Sequence, residues 1–143
     1  IPEKAVIRGT ARCFDSETRE IIKNKLGDYA KNISDKYGAK TDYRYIELYP
    51  PTFCNTDTNS IAVKAAMNTE KINNIIKLEK GLMIGDDFSY FSEKVPSSYI
   101  LFGTSAEEKF QLHSSKFKIN ENSLIPGCNF LVNIANEYFK IQR

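Results

Sequence analysis

The chain has 143 residues and a formal net charge of +2, from 20 basic and 18 acidic side chains, and 41% of its residues are hydrophobic. This length suits one domain or two small ones, and the composition is that of a folded protein, not of a disordered or collagen-like one. Both signs of charge are spread along the chain, which argues against nucleic-acid binding, and no apolar run reaches the roughly 20 residues that span a bilayer.

The first third of the chain predicts a strand, a helix and a second strand. In residues 5–14, small or apolar side chains alternate with polar ones, which is the period of a half-buried strand. Residues 15–16 offer an N-cap for a helix that ends before Gly38, where a left-handed cap is expected. The apolar side chains of this helix recur every three or four residues: Ile22, Leu26, Tyr29, Ile33 and Tyr37. Residues 41–49 predict the second strand, which ends at the two prolines that follow.

A second helix and a third strand complete this half of the chain. Asp57 or Thr58 offers the helix an N-cap, and its apolar side chains run from Ile61 to Met67. Residues 75–78 predict a short strand. An order of strand, helix, strand, helix, strand predicts an α/β (α+β) fold, namely most of a ferredoxin-like sandwich with helices on one face of a small sheet.

The second half begins near Gly81 and predicts two helices and a short strand. Asp86 and Asp87 precede a short aromatic helix, and residues 99–102 form an apolar run typical of a strand. The last helix begins near Ser123, with a proline tolerated in its first turn. Its predicted apolar stripe consists of Cys128, Leu131, Ile134, Ala135 and Tyr138.

Few residues in the chain are suited to catalysis. His113 is the only histidine, and a single loop histidine is by itself an ordinary surface residue. A catalytic zinc site requires at least three converging nitrogen, sulfur or carboxylate ligands, which this chain does not supply as a complete set. Asp86 and Asp87 suit a paired acid and base, or the cap of the helix that follows. Asn55 suits a turn. These alternatives remain open from the residue pattern alone.

Five segments of the chain together resemble one enzyme family in their order and spacing. They are GTARCFD at residues 9–15, YPPTFCN at 49–55, GDDFSYF at 85–91, KVPSSYILFGT at 94–104 and LHSSKFKINENSLIPG at 112–127. The family is that of the metal-dependent amidohydrolases, which includes hippurate hydrolase, N-acyl-amino-acid hydrolases, auxin-conjugate hydrolases and related carboxypeptidases. The resemblance covers nearly the whole chain.

The resemblance implies a two-domain enzyme in which a lid or dimerisation domain is inserted into the catalytic domain. Residues 1–78 would be most of a ferredoxin-like lid, and residues 79–143 the C-terminal part of an α/β catalytic domain. His113 matches the last metal ligand of the family, which binds one of two divalent ions, zinc or manganese. The other ligands and the glutamate general base match a section expected to precede Ile1.

Two positions depart from the family pattern. Asp86 stands where the family commonly has glutamate, and Asp86 and Asp87 are expected to support the metal ligands from outside or to cap the following helix. The lid asparagine of the family falls at Cys54 here, so that Asn55, one position later, is the expected substrate contact.

The sequence therefore predicts part of a metal-dependent amidohydrolase that cleaves N-acyl amino acids or related small peptides. In such enzymes, metal ions lower the pKa of a bridging water, a glutamate accepts its proton and the amide carbonyl is polarised. The segment is expected to be inactive by itself, to form a homodimer through the lid and to bind neither nucleic acid nor membrane. Three scattered cysteines without CxxC spacing favour reduced thiols and a cytoplasmic location. The alternatives are a non-catalytic dimerisation module and an unrelated ferredoxin-like ligand-binding domain.

Overall fold

The computed structural model describes residues 2–104, 108 and 110–141. In this part of the chain the regular elements are helices α1 (Ser16–Lys36), α2 (Thr56–Met67), α3 (Ser89–Ser92) and α4 (Leu124–Ile141), with a 3₁₀ turn at Glu121–Ser123. The chain divides into two compact units. The first unit runs to Thr52 and includes Glu79–Phe91, and the second unit comprises Phe53–Leu78 and the chain from Ser92 onward. Within the described residues, no helix is long and apolar enough to cross a membrane.

The predicted α/β (α+β) ferredoxin-like fold is wrong, because the described residues form no sheet. Residues 5–14, 41–49, 75–78 and 99–102 are not strands, and the only strand-type pairing in the described part of the chain is an isolated bridge at Ile119. An alternating pattern specifies two faces, but a strand also requires a neighbouring strand to bind its N–H and C=O groups. No such neighbour is present in the described ranges. The α/β character predicted for the second half fails for the same reason.

Helix α1 begins and ends where the sequence predicts, but its apolar stripe is not buried. The Asp15 carboxylate caps the N-terminus by accepting hydrogen bonds from the Thr18 N–H at 2.6 Å and the Thr18 hydroxyl at 2.8 Å. Gly38, with φ +66°, follows the C-terminus in the left-handed conformation that glycine adopts without strain. Tyr29 and Ile33 remain 63% and 59% exposed. The sheet that was expected to cover this stripe is not formed by the residues that the structure describes.

Helices α2 and α4 pack together in the second unit and form its hydrophobic core. The core consists of Ala62, Ala65, Ala66 and Phe130, with Ile72 and Ile134 against it. Three alanines on one face of α2 let the two helices approach closely, and the Phe130 ring fills the space that small side chains leave. Ala65 is fully buried.

The structure corrects two details of these helices. The N-cap of α2 is Asn55, not Asp57 or Thr58. On α4, the predicted stripe residues Cys128, Leu131, Ala135 and Tyr138 are exposed. Ile134 packs against the core as predicted, and Phe130, which is outside the predicted stripe, is the buried residue of that face. Polar side chains one turn further along α4 set which face of α4 lies toward α2, because they bind the C-terminal end of α2. These contacts join Asn133 Nδ2 to the Asn68 carbonyl at 3.1 Å and to Thr69 Oγ1 at 2.9 Å, and Asn68 Nδ2 to Glu137 at 3.2 Å.

Candidate functional site

Asn55, the predicted substrate contact, lies at the start of α2 as its N-cap. Its side-chain oxygen accepts hydrogen bonds from the N–H groups of Asp57 at 2.9 Å and Thr58 at 3.1 Å. These two donors fix the orientation of the amide, since only the oxygen can accept. The Asn55 Nδ2 group makes no hydrogen bond with the described residues and is the half of the amide that can donate to a ligand.

Residues 97–99 hold the start of α2 through three consecutive contacts. The contacts join the Asn55 N–H to the Ser97 carbonyl at 2.8 Å, the Thr58 and Ser98 hydroxyls at 2.7 Å, and the Tyr99 N–H to Cys54 Sγ at 3.3 Å. Segments that are distant in sequence are thereby joined around the cap. Both segments belong to the second unit, so the cap and the residues that hold it lie within one compact unit.

A groove of about 370 Å³ includes Asn55 in its wall. The Asn55 groove is lined by Phe53, Cys54, Asn55 and residues 92–97. Lys94 adds a positive charge to the lining and Glu93 a negative one. The Ser97 hydroxyl is buried and has no hydrogen-bond partner among the described residues. An amide donor, an ammonium group and the positive end of a helix can together bind a carbonyl or carboxylate oxygen.

Asp86 and Asp87, the predicted acidic pair, lie in the first unit directly before α3. Asp86 Oδ1 accepts a hydrogen bond from the Phe88 N–H at 2.9 Å, and its carbonyl accepts one from the Ser89 hydroxyl at 2.8 Å. The Asp87 carbonyl accepts a bond from the Tyr90 N–H at 3.1 Å. These contacts are those of a cap on a single helical turn. Support of metal ligands by this pair stays a prediction.

His113, the predicted metal ligand, lies in an exposed turn of the second unit. The Ser114 N–H donates to the Gln111 carbonyl at 3.0 Å across this turn. The backbone of His113 has φ +68°, a left-handed conformation that is uncommon for residues with a side chain but enriched for histidine. His113 does not line the Asn55 groove.

The residues present do not fit a complete binuclear metal centre. Among residues 2–104, 108 and 110–141, no three histidine, cysteine, aspartate or glutamate side chains lie close enough together to hold an ion. The donor set available to His113 within the described chain is therefore incomplete. A metal site at this position would need ligands from other residues.

An ion pair in the first unit shifts the pKa values of both of its members, Lys23 and Glu47. Lys23 Nζ lies 2.6 Å from a Glu47 carboxylate oxygen, and Arg19 lies 3.8 Å from the other oxygen. The hydrogen bond from Lys23 lowers the pKa of Glu47, and the same bond raises the pKa of Lys23. This pair joins α1 to the segment that follows it. Neither Lys23 nor Glu47 is a predicted site residue.

Sequence reasoning missed the polar residues that surround Asn55. Ser97 and Ser98 lie inside the segment KVPSSYILFGT, and Thr58 follows the segment YPPTFCN, so their positions were noted but their pairing was not. A hydroxyl has no periodicity or spacing that indicates its partner. The pairing could be expected only if the two family-like segments were known to lie close together, and the sequence alone does not show that they do.

The chain is similar to several proteins whose names describe hydrolases. It is 30% identical over 144 residues to the Bacillus subtilis protein YhaA, which is named as an amidohydrolase. The alignment covers 99% of this chain and 36% of the relative. It is 31% identical over 135 residues to N-acetyl-L-cysteine deacetylase of Bacillus subtilis, which covers 94% of this chain and 31% of the relative. It is 26% identical over 149 residues to the uncharacterized hydrolase SA1230 of Staphylococcus aureus, which covers 99% of this chain and 37% of the relative.

The chain thus spans about a third of the length of these relatives. No solved structure matches it significantly. The profile of peptidase family M20/M25/M40 matches residues 7–137, which is most of the sequence and includes all the predicted site residues. The resemblance to metal-dependent amidohydrolases is therefore confirmed, and the chain belongs to peptidase family M20/M25/M40.

Proposed function

We propose that this chain is part of a metal-dependent amidohydrolase that cleaves the amide bond of N-acyl amino acids or related small peptides. The observation that carries the proposal is the family match over residues 7–137. The relative named N-acetyl-L-cysteine deacetylase supports the substrate class, because removal of an acetyl group from an amino acid is hydrolysis of an amide.

In this proposal the chain contributes binding groups and does not contain the whole catalytic apparatus. Asn55 Nδ2 donates a hydrogen bond to a substrate oxygen, since the cap already occupies its side-chain oxygen. His113 completes the ligand set of one of two divalent ions, zinc or manganese. The remaining ligands and the glutamate general base come from outside this chain, because the described residues hold no three-donor cluster. We therefore propose that the chain is inactive in hydrolysis by itself.

The wider organisation of the enzyme is part of the same proposal. Residues 1–78 form most of the lid or dimerisation domain, residues 79–143 belong to the catalytic domain, and the enzyme is a cytoplasmic homodimer. A light-scattering measurement on the full-length protein tests the dimer. A monomer in that measurement would contradict the proposed homodimer.

The role of His113 is tested in the full-length protein that contains this chain. His113→Ala is expected to reduce bound metal from two ions to one and to lower hydrolysis of N-acetyl amino acids by about 100-fold, the upper end of the loss seen when a residue that supports a metal ligand is changed. Metal is counted by elemental analysis, and hydrolysis by the release of free amine. Gln111→Ala, a neighbouring change in the same turn, is the matched control. Unchanged metal and unchanged rate in His113→Ala would remove the proposal.

A further inference from the structure

We propose that Ser98, acting through Thr58, is a positioning residue that sets the place of Asn55 in the substrate site. The proposal rests on the function proposed above, in which Asn55 contacts the substrate. It concerns a hydroxyl pair that joins two distant segments of the second unit at 2.7 Å. Neither hydroxyl touches the substrate in this assignment.

The direction of the hydrogen bonds follows from the number of protons. Thr58 Oγ1 donates its single proton to the Asn55 carbonyl at 3.1 Å. Thr58 can then only accept in its second contact, so the Ser98 hydroxyl is the donor between them. The three groups form a chain from Ser98 to Thr58 to the Asn55 carbonyl, in which each bond polarises the next.

This chain fixes Asn55 from a side that the helix cap does not reach. The cap holds the Asn55 side-chain oxygen, and the Ser97 carbonyl holds the Asn55 N–H at 2.8 Å. The Ser98–Thr58 pair adds a restraint on the Asn55 carbonyl and on the first turn of α2. The Asn55 carbonyl also accepts a hydrogen bond from the Asn59 N–H at 3.0 Å, so these contacts together restrain the backbone and the side-chain amide of Asn55 and direct its Nδ2 group to the wall of the Asn55 groove.

The place of Ser98 outside the hydrophobic core indicates that its hydroxyl positions Asn55 and contributes little to the stability of the fold. Ser98 lies at the surface of the second unit and is only partly buried, whereas the core of that unit lies between α2 and α4. Loss of its hydroxyl leaves that core intact and frees the Thr58 side chain to rotate. The Asn55 amide, once it is less firmly held, then contacts the substrate less well, which weakens substrate binding.

The test uses Ser98→Ala and Thr58→Val in the full-length protein, with Thr58→Ser as the variant that keeps the hydroxyl. We expect Ser98→Ala and Thr58→Val each to raise KM for an N-acetyl amino acid by about tenfold with kcat changed less than about twofold, as for loss of a ground-state contact. Thr58→Ser should retain the wild-type KM. Ser60→Ala, which removes a hydroxyl that donates to the Thr56 carbonyl of α2 at 2.9 Å, is the control and should have no effect.

A positioning residue must lose its effect when the residue that it positions is disabled. In an Asn55→Asp background, which keeps the cap but removes the amide donor, Ser98→Ala should leave KM unchanged. The same tenfold loss in both backgrounds would overturn the proposal in favour of a merely structural role.

Amide hydrogen exchange separates this proposal from the proposed function. The Asp57 and Thr58 N–H groups, which donate to Asn55, should exchange faster in Ser98→Ala and at the wild-type rate in Ser60→Ala. If the wild-type protein does not hydrolyse N-acetyl amino acids, the proposed function fails, but faster exchange still supports the positioning of Asn55. Unchanged exchange in Ser98→Ala overturns the positioning whatever the activity.

Discussion

At the scale of single residues, the proposed function gives the Asn55 side chain two tasks, one for each half of its amide. The oxygen caps α2 through two N–H groups, and the nitrogen is available to the Asn55 groove. A side chain with two such different tasks can be changed so that only one is lost, because aspartate caps a helix as well as asparagine does but cannot donate.

Asn55→Asp is therefore expected to preserve stability and to weaken substrate binding. The free energy of unfolding should change by less than about 0.5 kcal/mol, whereas Asn55→Ala, which removes the cap, should lose about 1 kcal/mol. KM for an N-acetyl amino acid should rise in both variants. Urea unfolding and steady-state kinetics on the full-length protein provide the two measurements. A wild-type KM in Asn55→Asp would show that the amide nitrogen does not contact the substrate.

At the scale of elements, the contact between α2 and α4 depends on small side chains. Ala65 is fully buried and Phe130 is 6% exposed. A larger side chain at position 65 would have to displace α4, and overpacking of this kind costs about 1–3 kcal/mol. Removal of the Phe130 ring leaves a cavity instead and costs about 3–5 kcal/mol.

Ala65→Leu and Phe130→Ala should both lower the urea midpoint of the full-length protein, with the larger loss in Phe130→Ala. Val63→Leu, on an exposed position of the same helix, is the matched control and should unfold at the wild-type midpoint. Equal stability of Ala65→Leu and Val63→Leu would mean that α2 and α4 do not pack as described.

The ion pair between Lys23 and Glu47 predicts a pH dependence at this same scale. The hydrogen bond from Lys23 lowers the pKa of Glu47 from its ordinary 4.5. The folded state therefore favours the charged carboxylate, and the ionised pair stabilises the folded state. Its contribution is complete above pH 4.5 and is lost as the pH falls through the lowered pKa. The pKa of Lys23 is raised from 10.5, so the contribution is also lost as the pH rises through that raised value.

Glu47→Gln should therefore unfold at a lower temperature than the wild type at neutral pH, by no more than a few degrees because the pair is exposed. The difference in Tm should vanish in acid, below the lowered pKa of Glu47. Thermal unfolding followed by circular dichroism between pH 2 and pH 7 makes the comparison. A difference in Tm that persists at pH 2 would assign the effect to packing and not to charge.

Local signals were sufficient for the helices and insufficient for the sheet. Helix α1 is bounded by Asp15 and Gly38, each of which acts through contacts with its immediate neighbours. Strand predictions for residues 5–14 and 41–49 depended on partners that alternation does not identify. The stripe on α4 was displaced because a 3.6-residue period admits neighbouring faces, and the side chains that fix the rotation, such as Asn133, are polar.

At the scale of the whole molecule, the family was predictable because five segments occur in the right order over most of the chain. The environment of the site was not predictable in the same way. Asn55 could be named from its motif, but its dependence on Ser98 follows from a contact across 40 residues of sequence. The motif also singles out His113 as a metal ligand, which stays a prediction, and no group of three donor side chains lies in the described chain.

The proposal that the metal centre is shared with residues outside this chain predicts how the chain and the full-length protein differ in metal binding. The described residues bring at most two donor side chains together at any point, and ligand sets of this size bind zinc weakly compared with three or four converging donors. Calorimetric titration of this chain with Zn²⁺ should show no stoichiometric site at micromolar concentration, and His113→Ala should leave that titration unchanged. The full-length protein should bind two ions, and there His113→Ala should remove one. Tight stoichiometric binding by the chain alone, abolished by His113→Ala, would mean that its own residues complete a metal site and that the catalytic centre is not shared with the rest of the enzyme.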